Sequence, residues 1–245
     1  MRPARPNWLT ERPFAHRGLF GQDARRPENS LPAFEAAVAG GFGVELDVRC
    51  TRDGKAVVFH DARLERLTAL SGRLSTRTLS EVTHTPLMGG PARVPSLAGA
   101  LHAVDGRAPI LIELKTEGRV GPLETAVAEA LNHYRGPVAV MSFDPRSMGW
   151  FARRAPHIVR GLVVSPTRRV PRLRRWLGHG WMQRLLLDWC AAQFVAHDVR
   201  GLPSMLSRFA HGHGLPVLTW TVRDPADRLV ARRWAHNVIF EQPSP

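Results

Sequence analysis

The sequence predicts an α/β chain folded as a single (β/α)8 TIM barrel, and three observations carry that prediction. The length, 245 residues, matches one such barrel. Short β-rich apolar runs alternate with amphipathic stretches along the whole chain, the pattern of parallel βαβ units. Polar, chemically active side chains cluster at the ends of several of those runs, where a parallel barrel gathers its functional groups.

Eight strands are predicted: Pro13–Arg17, Gly43–Arg49, Ala108–Lys115, Pro137–Phe143, His157–Val164, Gln193–His197, Pro216–Val222 and Asn237–Glu241. Helices are expected at Leu31–Ala39, Ser96–Val104, Leu123–Tyr134, Pro145–Arg153, Pro171–Trp189, Pro203–His211 and Pro225–Trp234. Several carry Pro in their first turn, where the missing N–H costs nothing. After the Arg52–Asp53–Gly54 turn, Ala56–His60 reads as a further short strand leaving the barrel. The stretch 62–95 is irregular and polar, and is expected to be a short insertion, a loop or small subdomain near the active face. No repeat or linker divides the chain, so residues 1–245 are read as one domain.

Composition narrows the function classes. With 44% hydrophobic and 22% charged residues the chain is an ordinary globular one. No 18-residue apolar stretch marks a membrane span. The opening MRPARPNWLTERPF lacks the apolar run of a secretory signal. Cys50 and Cys190 are too few for a disulfide framework, so a cytoplasmic setting is expected. The net charge of +13 points to anionic partners. Nucleic acid is not expected among them, because no recognition motif or aromatic single-strand platform accompanies the charge. Of 34 basic residues only Lys55 and Lys115 are lysine, so a compact ammonium at Lys115, beside candidate catalytic strands, stands out.

The strand ends form one constellation: His16, Arg17 and Gly18 on the first, Glu45 and Asp47 on the second, His60 and Asp61 after the short strand, Glu113 and Lys115 on the third, and Trp220 on the seventh. Glu45 and Asp47 are two apart and share a face, while Val44, Leu46 and Val48 take the other. Three converging carboxylates repel unless a cation compensates, and a hard divalent ion, Mg²⁺ or Ca²⁺, suits oxygen ligands; pairing with nearby arginines is the competing reading. Two imidazoles near neutral pH supply the acid and base that phosphodiester cleavage needs. Arg17 would clamp phosphate oxygens, and Lys115 would add a positive charge. Of the 11 histidines, His84, His102, His133, His179, His211, His213 and His236 read as surface or capping residues.

Those same segments carry a resemblance. His16-Arg17-Gly18, then Arg-Pro-Glu-Asn-Ser (26–30), Val-Glu-Leu-Asp-Val (44–48), Thr-Arg-Asp-Gly (51–54) and Val-Val-Phe-His-Asp (57–61) resemble the glycerophosphodiester phosphodiesterase family. Leu-Ile-Glu-Leu-Lys (111–115), Ser-Phe-Asp-Pro (142–145) and Thr-Trp-Thr-Val (219–222) extend the likeness over nearly the whole chain. The resemblance implies a metal-dependent barrel enzyme that hydrolyses glycerophosphodiesters to sn-glycerol 3-phosphate and an alcohol. It makes His16 and His60 the acid/base pair, and Glu45, Asp47 and Glu113 the ligands of one divalent cation. Arg17 and Lys115 become phosphate contacts, and Trp220 either lines the glycerol side or packs in the interior. Glu28 and Asn29 either support the site from behind its ligands or belong to the capping of the first helix, with Asn29 or Ser30 as its N-cap. The family usually has Asp where the last strand has Glu241.

Two other readings use the same parts. A lysophospholipase D or related lipid phosphodiesterase would act at a membrane surface, with the segment Arg168–Leu187 lying on anionic lipid. A binding module would hold a phosphate-containing ligand uncleaved, with no need of both histidines and all three carboxylates.

Overall fold

A computed structural model describes residues 6–21, 24–166 and 180–241, with the side chains of 180–183 outside that description. The Arg168–Leu187 amphipathic segment and the start of the helix expected at Pro171 therefore lie largely outside the described residues. The chain divides into two compact units, Phe14–Val138 and Met1–Pro13 with Ala139–Pro245.

The Phe14–Val138 unit contains strands β1 (Phe14–Ala15), β2 (Gly43–Cys50), β3 (Ala56–Val58) and β4 (Ile110–Leu114), with helices α1 (Leu31–Ala39), α2 (Leu79–Thr83), α3 (Leu97–Val104) and α4 (Pro122–Leu131). β1 runs parallel to β2 with Phe14 opposite Gly43, and β2 runs parallel to β4 with Asp47 opposite Glu113. β3 folds back antiparallel on the end of β2, pairing Val58 with Val48. Helix starts follow the local sequence. Ser30 caps α1 by accepting from the Ala33 N–H, and Pro32 occupies its first turn. Ser96 caps α3, and Glu124 turns back onto the Gly121 N–H ahead of α4.

Strand β1 is shorter than expected because the backbone turns at Arg17, whose φ of 57° is left-handed. The Arg17 N–H donates to Glu45 Oε2, the Gly18 N–H to the Glu45 carbonyl, and the Asn29 N–H to the Arg17 carbonyl. Asn29 is itself left-handed, at φ 55°. Gly18 is required here, since a Cβ would come within 2.9 Å of Ala33.

The 62–95 segment is more ordered than an irregular loop. It contains α2, opened by a reciprocal capping box between Thr78 and Glu81, and a core of its own. Leu64, Leu74, Val82, Leu87 and Val94 pack together there, each at most 1% exposed, and Val57 and Phe59 from just ahead of the segment complete the cluster. A polar surface pattern hid apolar positions spaced too irregularly to show a period.

The second unit contains β5 (Val138–Ser142), β6 (Val159–Val164), β7 (Phe194–Asp198), β8 (Val217–Val222) and β9 (Asn237–Phe240), with α5 (Pro145–Arg154), α6 (Gly180–Trp189), α7 (Met205–Gly212) and α8 (Pro225–Trp234). Its successive strands pair in parallel. Asp144, Ser204 and Asp224 cap α5, α7 and α8. The hydrogen-bonded order is β1-β9-β8-β7-β6-β5-β4-β2-β3, with β1 also paired to β2. Eight parallel strands thus form a closed (β/α)8 barrel, and β3 is an additional strand. No helix among the described residues is long and apolar enough to cross a membrane.

Candidate functional site

Alternation along β2 sorts its side chains as expected. Val44, Leu46 and Val48 are fully buried on one face, while Glu45 (1% exposed) and Asp47 (0%) occupy the other. Because Asp47 sits opposite Glu113 across the β2–β4 pair, Glu113 joins them. One ligand oxygen from each of Glu45, Asp47 and Glu113 lies within 4.8 Å of the other two.

Two cations compensate part of this charge. Lys115 Nζ lies 3.0 Å from Asp47 Oδ1 and donates to Glu113 Oε1. Arg17 Nε lies 3.3 Å from Asp47 Oδ2, while its Nη1 donates to Glu28 Oε1 at 2.7 Å. Asn29 completes the cradle: its Nδ2 donates to Asp47 Oδ2 at 2.9 Å, and its Oδ1 accepts from the Asp47 N–H at 3.2 Å. Ser30, not Asn29, caps α1.

Protonation follows from these neighbours. Burial pushes Asp47 up, but the Lys115 and Arg17 charges outweigh it and hold the carboxyl well below its ordinary range. Glu45 goes the other way, raised well above its ordinary value by burial and by the Asp47 and Glu113 charges. Burial works against the Lys115 ammonium, yet Glu113 and Asp47 raise its pKa, so it stays charged.

The Glu45 Oε1 atom is buried and has no hydrogen-bond partner among the described residues. An orphaned carboxylate oxygen is costly, and among the described residues the three carboxylates are met by two permanent cations, Arg17 and Lys115. The donor set is all oxygen. These features fit a hard divalent cation.

His16 is buried, with Nε2 3.9 Å from Glu45 Oε2. His60 is half-buried, and its Nδ1 meets Asp61 Oδ1 at 2.8 Å. Hydrogen bonds from Arg66 and His60 overcome burial and hold Asp61 below its ordinary range, so it accepts and His60 Nδ1 donates. The His60 Nε2 is then the nitrogen that can take or give a proton. Burial is the main cause of a lowered His60 pKa, only partly opposed by Asp47.

The structure therefore brings together, within one compact unit, nine residues singled out from sequence: His16, Arg17, Glu28, Asn29, Glu45, Asp47, His60, Glu113 and Lys115. Trp220 belongs to the other unit. There its indole N–H donates to the Ala196 carbonyl, and its ring meets Phe143 edge-on at 5.5 Å. Glu241 forms a two-pronged ion pair with Arg223.

A model of the Glycerophosphoryl diester phosphodiesterase family matches residues 16–243. The chain belongs to that family. Among its relatives, the Glycerophosphodiester phosphodiesterase of Bacillus altitudinis is 33% identical over 59% of this chain, which spans 63% of that relative's length. A Mycobacterium tuberculosis (H37Rv) protein named "Probable glycerophosphodiester phosphodiesterase 2" is 30% identical over 86% of this chain and 79% of its own. Among solved structures, an Oleispira antarctica phosphodiesterase in complex with the product sn-glycerol-3-phosphate superimposes with a TM-score of 0.80. It covers 95% of this chain and 93% of its own, at 24% identity, and so supports the fold.

Sequence reasoning missed the residues behind the site. Asp61 directly follows His60 in the chain, but the sequence by itself assigns it no role. Arg49, whose Nε donates to the His60 carbonyl and whose Nη1 donates to Glu117, is one strand repeat beyond Asp47 on the same face. That periodicity was the available signal. Arg66 had none.

Proposed function

We propose that this member of the glycerophosphoryl diester phosphodiesterase family hydrolyses glycerophosphodiesters to sn-glycerol 3-phosphate and an alcohol. The observation that carries the reading is the buried Glu45, Asp47 and Glu113 cluster with His16 and His60 beside it, each imidazole facing a carboxylate. The product held by the Oleispira antarctica protein supports the same substrate class.

Glu45, Asp47 and Glu113 would hold one divalent cation, Mg²⁺ or Ca²⁺, which when bound supplies Lewis-acid stabilisation of charge on the reacting phosphate. Arg17, fixed by Glu28 and Asp47, presents a guanidinium to phosphate oxygens. Lys115 stays protonated and acts as a fixed charge, not as a proton shuttle. One histidine accepts a proton from the attacking oxygen and the other donates one to the departing alcohol, each worth roughly 10²–10⁴ in rate. The nucleophile is water, which displaces the alcohol directly, or the substrate's own 2-hydroxyl, which expels the alcohol to leave a cyclic phosphate that water then opens to sn-glycerol 3-phosphate; a 2-deoxy analogue turned over normally would exclude the second route. Trp220 is assigned to the glycerol side, and Glu28 and Asn29 to supporting Arg17 and Asp47. The whole chain acts as one barrel domain in the cytoplasm.

The alcohol is assigned to a cavity of about 350 Å³ lined by Lys115, Arg49, Arg52, Glu117 and Arg119. Its cations favour neutral or anionic alcohols over a quaternary ammonium. A panel of glycerophosphocholine, glycerophosphoethanolamine, glycerophosphoinositol and lysolipids, run with Mg²⁺ and then Ca²⁺, tests the reading. Cleavage of glycerophosphodiesters with release of sn-glycerol 3-phosphate supports it, and a panel left intact refutes it.

A membrane-facing variant of this function has one supporting observation: Leu185, Trp189 and Met205 are each more than half exposed. Flotation with anionic liposomes, together with preferential cleavage of lysolipids, would favour it over the soluble substrates.

A further inference from the structure

Arg66 lies in the insertion, five residues beyond Asp61, and nothing in the sequence marks it. Its guanidinium uses all three nitrogens. Nη1 and Nη2 fork onto Glu28, at 2.9 Å to Oε2 and 2.7 Å to Oε1, while Nε donates to Asp61 Oδ2. Each carboxylate so held is itself the partner of a different site residue. Glu28 Oε1 accepts from Arg17, and Asp61 Oδ1 accepts from His60 Nδ1. A continuous chain of hydrogen bonds thus runs Arg17–Glu28–Arg66–Asp61–His60.

We propose that Arg66 is a positioning residue that couples the phosphate-binding guanidinium of Arg17 to the orientation and tautomer of His60. This inference rests on the hydrolytic reading above and goes beyond its catalytic inventory. The argument is geometric. Glu28 and Asp61 are both acceptors only, and two carboxylates side by side repel unless a donor with two separated edges joins them. A guanidinium has those edges; an ammonium is a point charge and cannot span both with the same directionality. Burial works against Glu28, and the Arg66 hydrogen bonds are the largest influence opposing it. Without Arg66, Asp61 is free to swing away from His60, and Glu28 loses the fork that fixes the oxygen on which Arg17 rests. The Arg66 side chain is 46% exposed, so its contribution to core packing is small, and its loss should be felt in the site more than in the fold.

The insertion then has a definite task. Its small apolar core, around Leu64, Leu67 and Leu74, holds the backbone that delivers Arg66 to the site. The variable segment and the fixed carboxylates are thereby joined through a single side chain.

Three variants of the full chain decide the matter. In Arg66→Ala, kcat should fall about 10–100-fold, the range seen when outer partners of site residues are removed. The thermal midpoint should stay within a few degrees of wild type. Guanidinium ion at millimolar concentration should restore part of the lost kcat, and ammonium ion should not. Arg66→Lys keeps the charge and should remain impaired. Arg63→Ala removes a neighbouring arginine that bonds only Glu65 among the described residues and should behave as wild type. An imidazole ¹H–¹⁵N spectrum supplies a readout independent of turnover: wild type should show the His60 Nδ1–H resonance of a carboxylate-bonded ring, and Arg66→Ala should lose it. Wild-type kcat in Arg66→Ala, full activity in Arg66→Lys, or an unchanged His60 resonance would each overturn the proposal. A wild-type enzyme inert on every glycerophosphodiester would sink the hydrolytic reading instead, and the resonance would still decide this one.

Discussion

Replacing Glu45 with Gln should make the metal-free protein more stable, although the residue is buried and central to the site. Glu45, Asp47 and Glu113 place ligand oxygens within 4.8 Å of one another. Two like unit charges at that separation, in an effective dielectric of about 20, repel by about 3.5 kcal/mol. Lys115 and the Arg17 N–H recover part of this, and a Gln carbonyl keeps the Arg17 N–H bond that Glu45 Oε2 now accepts. The Gln amide also turns a donor toward two carboxylates. We therefore expect Glu45→Gln to gain about 1–3 kcal/mol without metal, or about 2–12 °C in Tm for a chain of this size.

The sign depends on pH. Glu45 has a folded pKa raised above its ordinary 4.5. Its contribution to stability is therefore fully present below the unfolded pKa and is lost as pH rises through the folded value. The advantage of Glu45→Gln should accordingly be absent near pH 4 and grow toward neutrality. Thermal unfolding of both proteins in chelator from pH 4 to pH 8 measures this. A variant that is less stable than wild type across that range would refute the electrostatic account of the cluster.

Other expectations follow from the same geometry. His16→Ala and His60→Ala should each lower kcat at least about 100-fold while far-ultraviolet circular dichroism stays native; a variant with a near-native rate removes that histidine from the scheme. Arg17→Gln removes the charge that faces Asp47 and Glu28 and should raise KM about tenfold or more, measured by steady-state kinetics on the preferred glycerophosphodiester. An unchanged KM would show that Arg17 does not contact the phosphate.

Much of the site was legible because strand periodicity is strict. Glu45 and Asp47 had to share a face, and Asp47 meets Glu113 because β2 and β4 are parallel neighbours. First-turn prolines lie at the starts predicted for α1, α5 and α8, and the structure places those helices within a residue or two of the expected bounds. Legibility failed where order depends on contacts distant in sequence. The end of β1 at Ala15 is set by Glu45, 28 positions ahead of Arg17, and no local propensity encodes that turn. The insertion looks irregular in sequence because its core is assembled from single apolar residues on loops, on a 3-10 turn and on the five-residue α2, although the Thr78–Glu81 capping box is a readable sign of α2. Arg66 is one arginine in a chain full of them. Only its two carboxylate partners distinguish it, and they are 38 and 5 residues away.

Isothermal titration of the metal-free chain with Mg²⁺ and with Ca²⁺, beside the Glu45→Gln/Glu113→Gln double variant, reaches the claim on which the rest depends. One divalent ion per wild-type chain, with binding abolished in the double variant and turnover restored in step with occupancy, is the predicted result. Full turnover by protein shown to be metal-free, or equal binding by wild type and double variant, would contradict it.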